Sequence, residues 1–158
     1  MKHHAADLPL EVLQQFRVIY GTMRQYFRTI EQCCGLPGSQ MWILQEVERT
    51  PSIGVTELAQ RLGIHQSTCS QLVEKLVARG LLVKERSLED QRRVGLSLTE
   101  VAAELLRKAP GPAEGVLPDA LMCLSKETLL LLDASLAEVI GQLGIHDEKY
   151  ANNPLADM

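Results

Sequence analysis

The side chains best suited to chemistry in this chain fall in two short runs. In the first, Gln66, Ser67, Thr68, Ser70 and Gln71 are short, uncharged groups that both donate and accept hydrogen bonds. Such groups can approach the edges of base pairs, where a long or acidic side chain would clash or repel phosphate. Lys75 and Arg79 follow further along and are placed for phosphate oxygens. The second run begins at Arg86 and passes through Ser87-Leu88-Glu89-Asp90-Gln91 to Arg92 and Arg93. Arginines at the tip of a hairpin can enter a narrow, strongly negative minor groove. Asp90, two residues before Arg92, suits a charge-assisted pair that orients the arginine. The chemistry these runs suggest is recognition of a polyanion.

Charge follows the same division. The chain of 158 residues carries a formal net charge of −4. Val55–Thr99 holds seven Lys/Arg against five Asp/Glu, so this segment is +2 and the remainder −6. A basic segment inside an acidic chain points to a localised anionic partner. No Gly-rich phosphate loop, nucleophile elbow or paired metal-binding motif is present, so the chain does not read as an enzyme and no cofactor is expected. No apolar run approaches a membrane span and no signal peptide is evident, so a cytoplasmic protein with reduced cysteines is expected.

These residues need elements to hold them. Numbered from Val55, apolar residues recur at positions 4, 8, 10, 15 and 18 (Leu58, Leu62, Ile64, Cys69, Leu72), with Ala59 at 5 and Gly63 at 9. Two helices crossing steeply need a small residue at the crossing, and the tight turn between them needs one that accepts positive φ. This is the helix-turn-helix pattern, with a recognition helix over about Gln66–Arg79. Gly80 ends that helix. Leu81–Arg86 and Val94–Leu98 then read as two strands of a hairpin, by period-two alternation.

Around this centre lie helices. Leu10 to Ile30 shows helical periodicity in Leu10, Leu13, Phe16, Ile19, Met23 and Ile30, and Pro9 suits its first turn. Ser39 is a plausible N-cap for a second helix over Gln40–Arg49. Thr99-Glu100 opens another, which Pro110-Gly111-Pro112 interrupts. Val116–Leu124 resumes a helical pattern, and Ser125 caps a last helix over Lys126–Leu143. Leu129-Leu130-Leu131-Leu132 is apolar almost all round, which a lone surface helix does not sustain. These faces read as the interface of a homodimer. The segment after Gly144 reads as a polar, mobile tail.

Several other residues invite a reading. Phe16, Tyr20, Tyr26 and Trp42 could wall a pocket for an aromatic ligand, although aromatic stripes at helical spacing more often serve packing. Cys33 and Cys34 are a vicinal pair that could be oxidised or bind a soft metal, or could be two small residues at a helix end. Cys69 fills a core position and should be inert. His3-His4 and His146-Asp147-Glu148 match no closed zinc-site spacing, so no metal is expected.

The run ELAQRLGIHQSTCSQLVEKLVARGLLVKER and the sequence Asp90-Gln91-Arg92 leading to Leu98-Thr99 resemble the MarR family of winged helix-turn-helix transcriptional regulators. The resemblance extends over roughly Leu8 to Leu143, and the central part carries its motifs. It implies a mainly α fold with a small β-hairpin wing (α+β), in one domain over 1–158. Residues 37–98 would be the winged unit, and 8–35 and 99–144 dimerisation helices that interdigitate with a second copy. It implies double-stranded DNA with a palindromic operator as partner. Gln66 to Gln71 would face bases, with Lys75, Arg86 and Arg93 beside them, while Arg92 enters the minor groove with Asp90 as its support. It also implies repression relieved by a small, often phenolic or aromatic, molecule. In two respects the chain departs from the family: Pro110-Gly111-Pro112 breaks what is often one long helix, and no cysteine lies at the start of the first helix. A redox or metal switch at Cys33/Cys34 is one alternative. A winged module that binds protein and not DNA is another, since folds do not fix functions.

Overall fold

A computed structural model describes residues 7–157; His3 and His4 lie outside the described residues. In chain order the elements are α1 (Leu8–Cys34), α2 (Gly38–Arg49), α3 (Val55–Leu62), α4 (Gln66–Ala78), the strands β1 (Leu82–Arg86) and β2 (Val94–Leu98), α5 (Glu100–Lys108), α6 (Val116–Met122) and α7 (Lys126–Gln142). Two short 3-10 segments, Glu148–Asn152 and Leu155–Asp157, close the described chain.

The crossing of α3 and α4 forms as the spacing requires. Gly63 adopts φ 66°, and the turn returns the Ile64 N–H to the Ala59 carbonyl at 3.1 Å. Ala59, Leu58, Leu62, Ile64, Cys69 and Leu72 are all buried. β1 and β2 pair antiparallel, with Leu82 opposite Leu98 and Arg86 opposite Val94. Ile53 adds a one-residue third strand: Leu96 N–H donates to its carbonyl at 3.0 Å, and Ser52 N–H donates to the Leu96 carbonyl at 3.0 Å. This brings Ser52 so close to Gly95 that a Cβ there would lie 2.7 Å from the Ser52 carbonyl oxygen.

One core serves the winged unit and what leans on it. Met41, Ile43, Leu44 and Val47 of α2 join Leu58, Leu76, Leu82 and Leu96, and α1 contributes Ile30 and Cys34, α5 Ala102. Glu46 is buried in α2, accepts Arg49 Nη1 at 2.8 Å and lies 3.5 Å from Arg61 Nη1 of α3. The pairing satisfies a charge that would be costly to bury alone.

Two expectations are corrected. The second helix begins at Gly38 with Pro37 at its N-cap, and Ser39 caps nothing: its hydroxyl donates to Asp157 Oδ1 at 2.6 Å. The first helix runs to Cys34, and the vicinal cysteines sit in its last turn, at the helix end as expected. The segment after Gly144 does not trail away but turns back onto α2 and the start of α4, with Pro154 buried. The break at Pro110-Gly111-Pro112 is present, and its loop is pinned. Tyr26 OH donates to the Pro112 carbonyl at 2.6 Å, and Ala113 N–H donates to Gln45 Oε1 at 2.9 Å. Burial, and then the carboxylates of Glu114 and Asp119, push the Tyr26 phenol up from its ordinary pKa, which keeps its proton on the donor.

Among the described residues no helix is long and apolar enough to cross a membrane.

Candidate nucleic-acid interface

The interface is built from α4 outward. Its buried side is Cys69, Leu72, Val73 and Leu76, which at 3.6 residues per turn leaves Ser67, Gln71, Glu74 and Ala78 on the opposite side; all four are exposed. Thr68 and Ser70 flank this side and are half-buried. Gln66 is exposed, but its Nε2 donates to Thr56 Oγ1 of α3 at 3.1 Å, tying the two helices at their outer edge. Glu74 was not among the expected contacts. It is the acidic residue on the outward side and is paired with Lys84 of β1, which offsets the charge that would repel phosphate.

His65 caps α4. Its Nδ1 accepts the Ser67 backbone N–H at 3.2 Å and lies 2.8 Å from Ser67 Oγ. Histidine is not a customary cap, and polarity alone did not reveal this role. Lys75 is exposed on the same helix.

The wing tip is ordered by two side chains. Ser87 Oγ accepts the N–H groups of Glu89 and Asp90, each at 3.3 Å, and Asp90 Oδ1 accepts the backbone N–H of Arg92 at 3.0 Å. The guanidinium nearest Asp90 belongs to Arg93, at 3.8 Å, and not to Arg92. The expected Asp90–Arg92 ion pair is therefore replaced by a backbone contact: the carboxylate sets the turn and leaves the Arg92 head group without an ion pair among the described residues. Arg86, Arg92 and Arg93 are all exposed. Arg86 and Arg93 line a cleft with Thr56 at the start of α3, so the wing and α3 border one groove.

The four aromatic residues considered for a ligand do not share a cavity. Phe16 lines an apolar cleft between the start of α1 and the end of α7, with Val12, Leu13, Val139 and Leu143. Tyr20 lines another with Arg24, Phe27, Arg28 and Ala156. Trp42, half-buried, lines a third with Phe27, Pro118 and Leu155. Tyr26 is engaged with Pro112. Phe27 borders both of the latter clefts, and its position inside a helical stripe gave no sign of it.

The cysteines separate by environment. Cys33 is exposed; Cys34 is buried, with Sγ 3.8 Å from the Leu105 carbonyl. Burial, then the neighbouring Cys33 thiol, raise the Cys34 pKa, and burial pushes Cys69 up to about 11. Neither buried thiol is a ready thiolate. Among the described residues no group of His, Cys, Asp or Glu is arranged to hold a metal ion.

Two helices joined through the left-handed turn at Gly63, a hairpin with arginines at its tip and an exposed polar helix face define a winged helix-turn-helix fold. Residues 35–93 match the sequence model of the MarR family. The HTH-type transcriptional repressor MdtR of Bacillus subtilis is 23% identical over 115 residues, which is 73% of this chain and 74% of MdtR. Among solved structures, S. aureus MepR in complex with DNA is 20% identical with a TM-score of 0.55, over 82% of this chain and 94% of that one. BldR of Sulfolobus solfataricus is 22% identical with a TM-score of 0.54, over 89% of this chain and 100% of that one. Residues 35–93 are thus similar to the MarR family, and the chain as a whole is similar to a transcriptional repressor.

Proposed function

We propose that this chain is a homodimeric, sequence-specific DNA-binding repressor that acts in the cytoplasm and releases a palindromic operator when a small molecule binds. The observation that carries the reading is the pairing of the polar side of α4 with a wing whose Arg92 is held out by its backbone and left free at its head group. Ser67 and Gln71 face bases, with Thr68 and Ser70 at the rim, Lys75 and Arg86 meet phosphates, and Arg92 enters the minor groove with Arg93 beside it. Replacing Arg92 by Ala should weaken operator binding about five- to 150-fold while the dimer persists, on the scale of about 1–3 kcal/mol for a specific groove contact. A gel-shift titration with unchanged affinity would sink the wing assignment.

Dimerisation is supported by the apolar sides of α1 and α7 that this chain leaves open, including Leu10, Ile19, Leu131 and Ile140. Two recognition helices must lie about 34–36 Å apart to enter successive major grooves. An effector that prefers a dimer of another spacing weakens binding by its differential affinity for the two forms. The MdtR repressor lends weight to repression as the sense of control. A thiol switch at Cys33/Cys34 has the burial of Cys34 against it.

A further inference from the structure

The segment from Glu148 to Asp157 crosses the turn of the helix-turn-helix. Asp157 Oδ1 accepts the Ser39 hydroxyl at 2.6 Å, at the start of α2. Ala156 lies against the same end of α2, 3.0 Å from where a Cβ on Gly38 would be. Pro154 is buried. The Asn152 carbonyl accepts the backbone N–H of His65 at 3.1 Å. Thr68, in the first turn of α4, lines a single cleft with Tyr150, Asn153, Pro154 and Asp157.

These contacts fall where a DNA backbone would compete. The N-terminal end of a helix carries unsatisfied N–H groups and the positive end of its dipole, and is a ready seat for a phosphate. At α4 the N–H of the capping residue is already taken by a strap carbonyl. The strap region also brings Asp147, Glu148 and Asp157 against one lysine, Lys149, whose ammonium is paired with Asp147 at 2.8 Å. Its net charge opposes an approaching phosphate.

We propose that residues 148–157 form an autoinhibitory strap that competes with a DNA phosphate for the start of α4 and is latched by Ser39 and Asp157. This rests on the reading of α4 as the DNA-facing helix. Only five residues separate the end of α7 from the strap, so a rearrangement of the open apolar helices bears on the recognition helix through it. Leu155 and Ala156 also close one side of the cleft that holds Tyr20 and Arg24. A molecule seated there touches the strap as well.

The test uses the full chain and two charge-neutral substitutions, Ser39→Ala at the latch and Pro154→Gly within the strap. The second lies outside the winged core and serves if the first fails to fold. Amide hydrogen exchange at His65 reports whether the strap is docked, and fluorescence anisotropy with a random-sequence duplex reports affinity. The expected result is faster His65 exchange together with affinity raised about threefold or more, the scale of one net intramolecular hydrogen bond. Faster exchange with unchanged or weaker binding would make the segment a brace and overturn the competition. Unchanged exchange in both variants would overturn the latch. If wild type and variants alike fail to bind the duplex at low salt, the DNA-binding reading itself fails, and the strap proposal with it.

Discussion

The winged unit and the helices flanking it solve the burial of apolar surface in opposite ways. From Leu36 to Leu96 the unit encloses most of its large aliphatic side chains: Met41, Ile43, Leu44, Leu58, Leu76, Leu82 and Leu96 are fully buried, and only Val83, Leu88 and Val94 of the hairpin stand exposed. By contrast α7, at 17 residues, buries none, and leaves Leu130 61% and Leu131 71% exposed. The first half of α1 is equally open at Leu8, Leu10, Val18 and Tyr20. One region satisfies itself within a single chain. The other leaves apolar faces open on two helices, and scattered exposure does not account for so many such residues.

That contrast can be broken in several ways. The largest effect should come from Leu131→Glu combined with Ile140→Glu, which places charges on the open helices. We expect these changes to abolish self-association in sedimentation or light scattering while the circular dichroism of the winged unit persists. A dimer that survives would mean α7 is not an interface. Next is Leu44→Ala in the shared core, expected to cost about 2–5 kcal/mol in denaturant unfolding through lost burial and the cavity left behind. A cost below 1 kcal/mol would show that the core is looser than its burial indicates. His65→Ala removes the cap of α4 and should cost about 1 kcal/mol. It should also speed exchange at Ser67, whose N–H loses its acceptor. Smallest is a labelling difference: a thiol reagent at neutral pH should modify Cys33 readily and spare Cys34 and Cys69 until the protein unfolds.

The parts of the fold legible in the sequence are those whose cause is local or periodic. Leu58, Leu62, Ile64, Cys69 and Leu72 all lie in the core at the spacing that implied it. Gly63 takes the left-handed turn, and the hairpin pairs close to its expected ends. What stayed hidden is set by partners distant in sequence or by competition within a few residues. Ser39 looked like a cap because its nearest neighbours are a turn and a helix; its actual partner, Asp157, is 118 residues away. Asp90 has arginines two and three residues on, and only the folded turn decides that the first receives a backbone contact and the second the weak ion pair. The strap is polar and has no period, because it is held by a backbone carbonyl, a buried proline and one hydroxyl. The aromatic residues were legible as a stripe, but their separation into three clefts depends on helix crossings that one helix cannot encode.

The loop between α5 and α6 is fastened to α1 by Tyr26 and to α2 by Gln45. Beyond it come α6 and then α7, a rod of 17 residues, about 25 Å long at 1.5 Å per residue. A fastened loop ahead of α6 leaves the turn between α6 and α7 as the fulcrum of that rod. Turning the rod by about 10° there would carry its far end roughly 4 Å. In the dimer proposed above, a shift of that size would move the two α4 helices relative to the grooves they are to enter, with no change inside either winged unit.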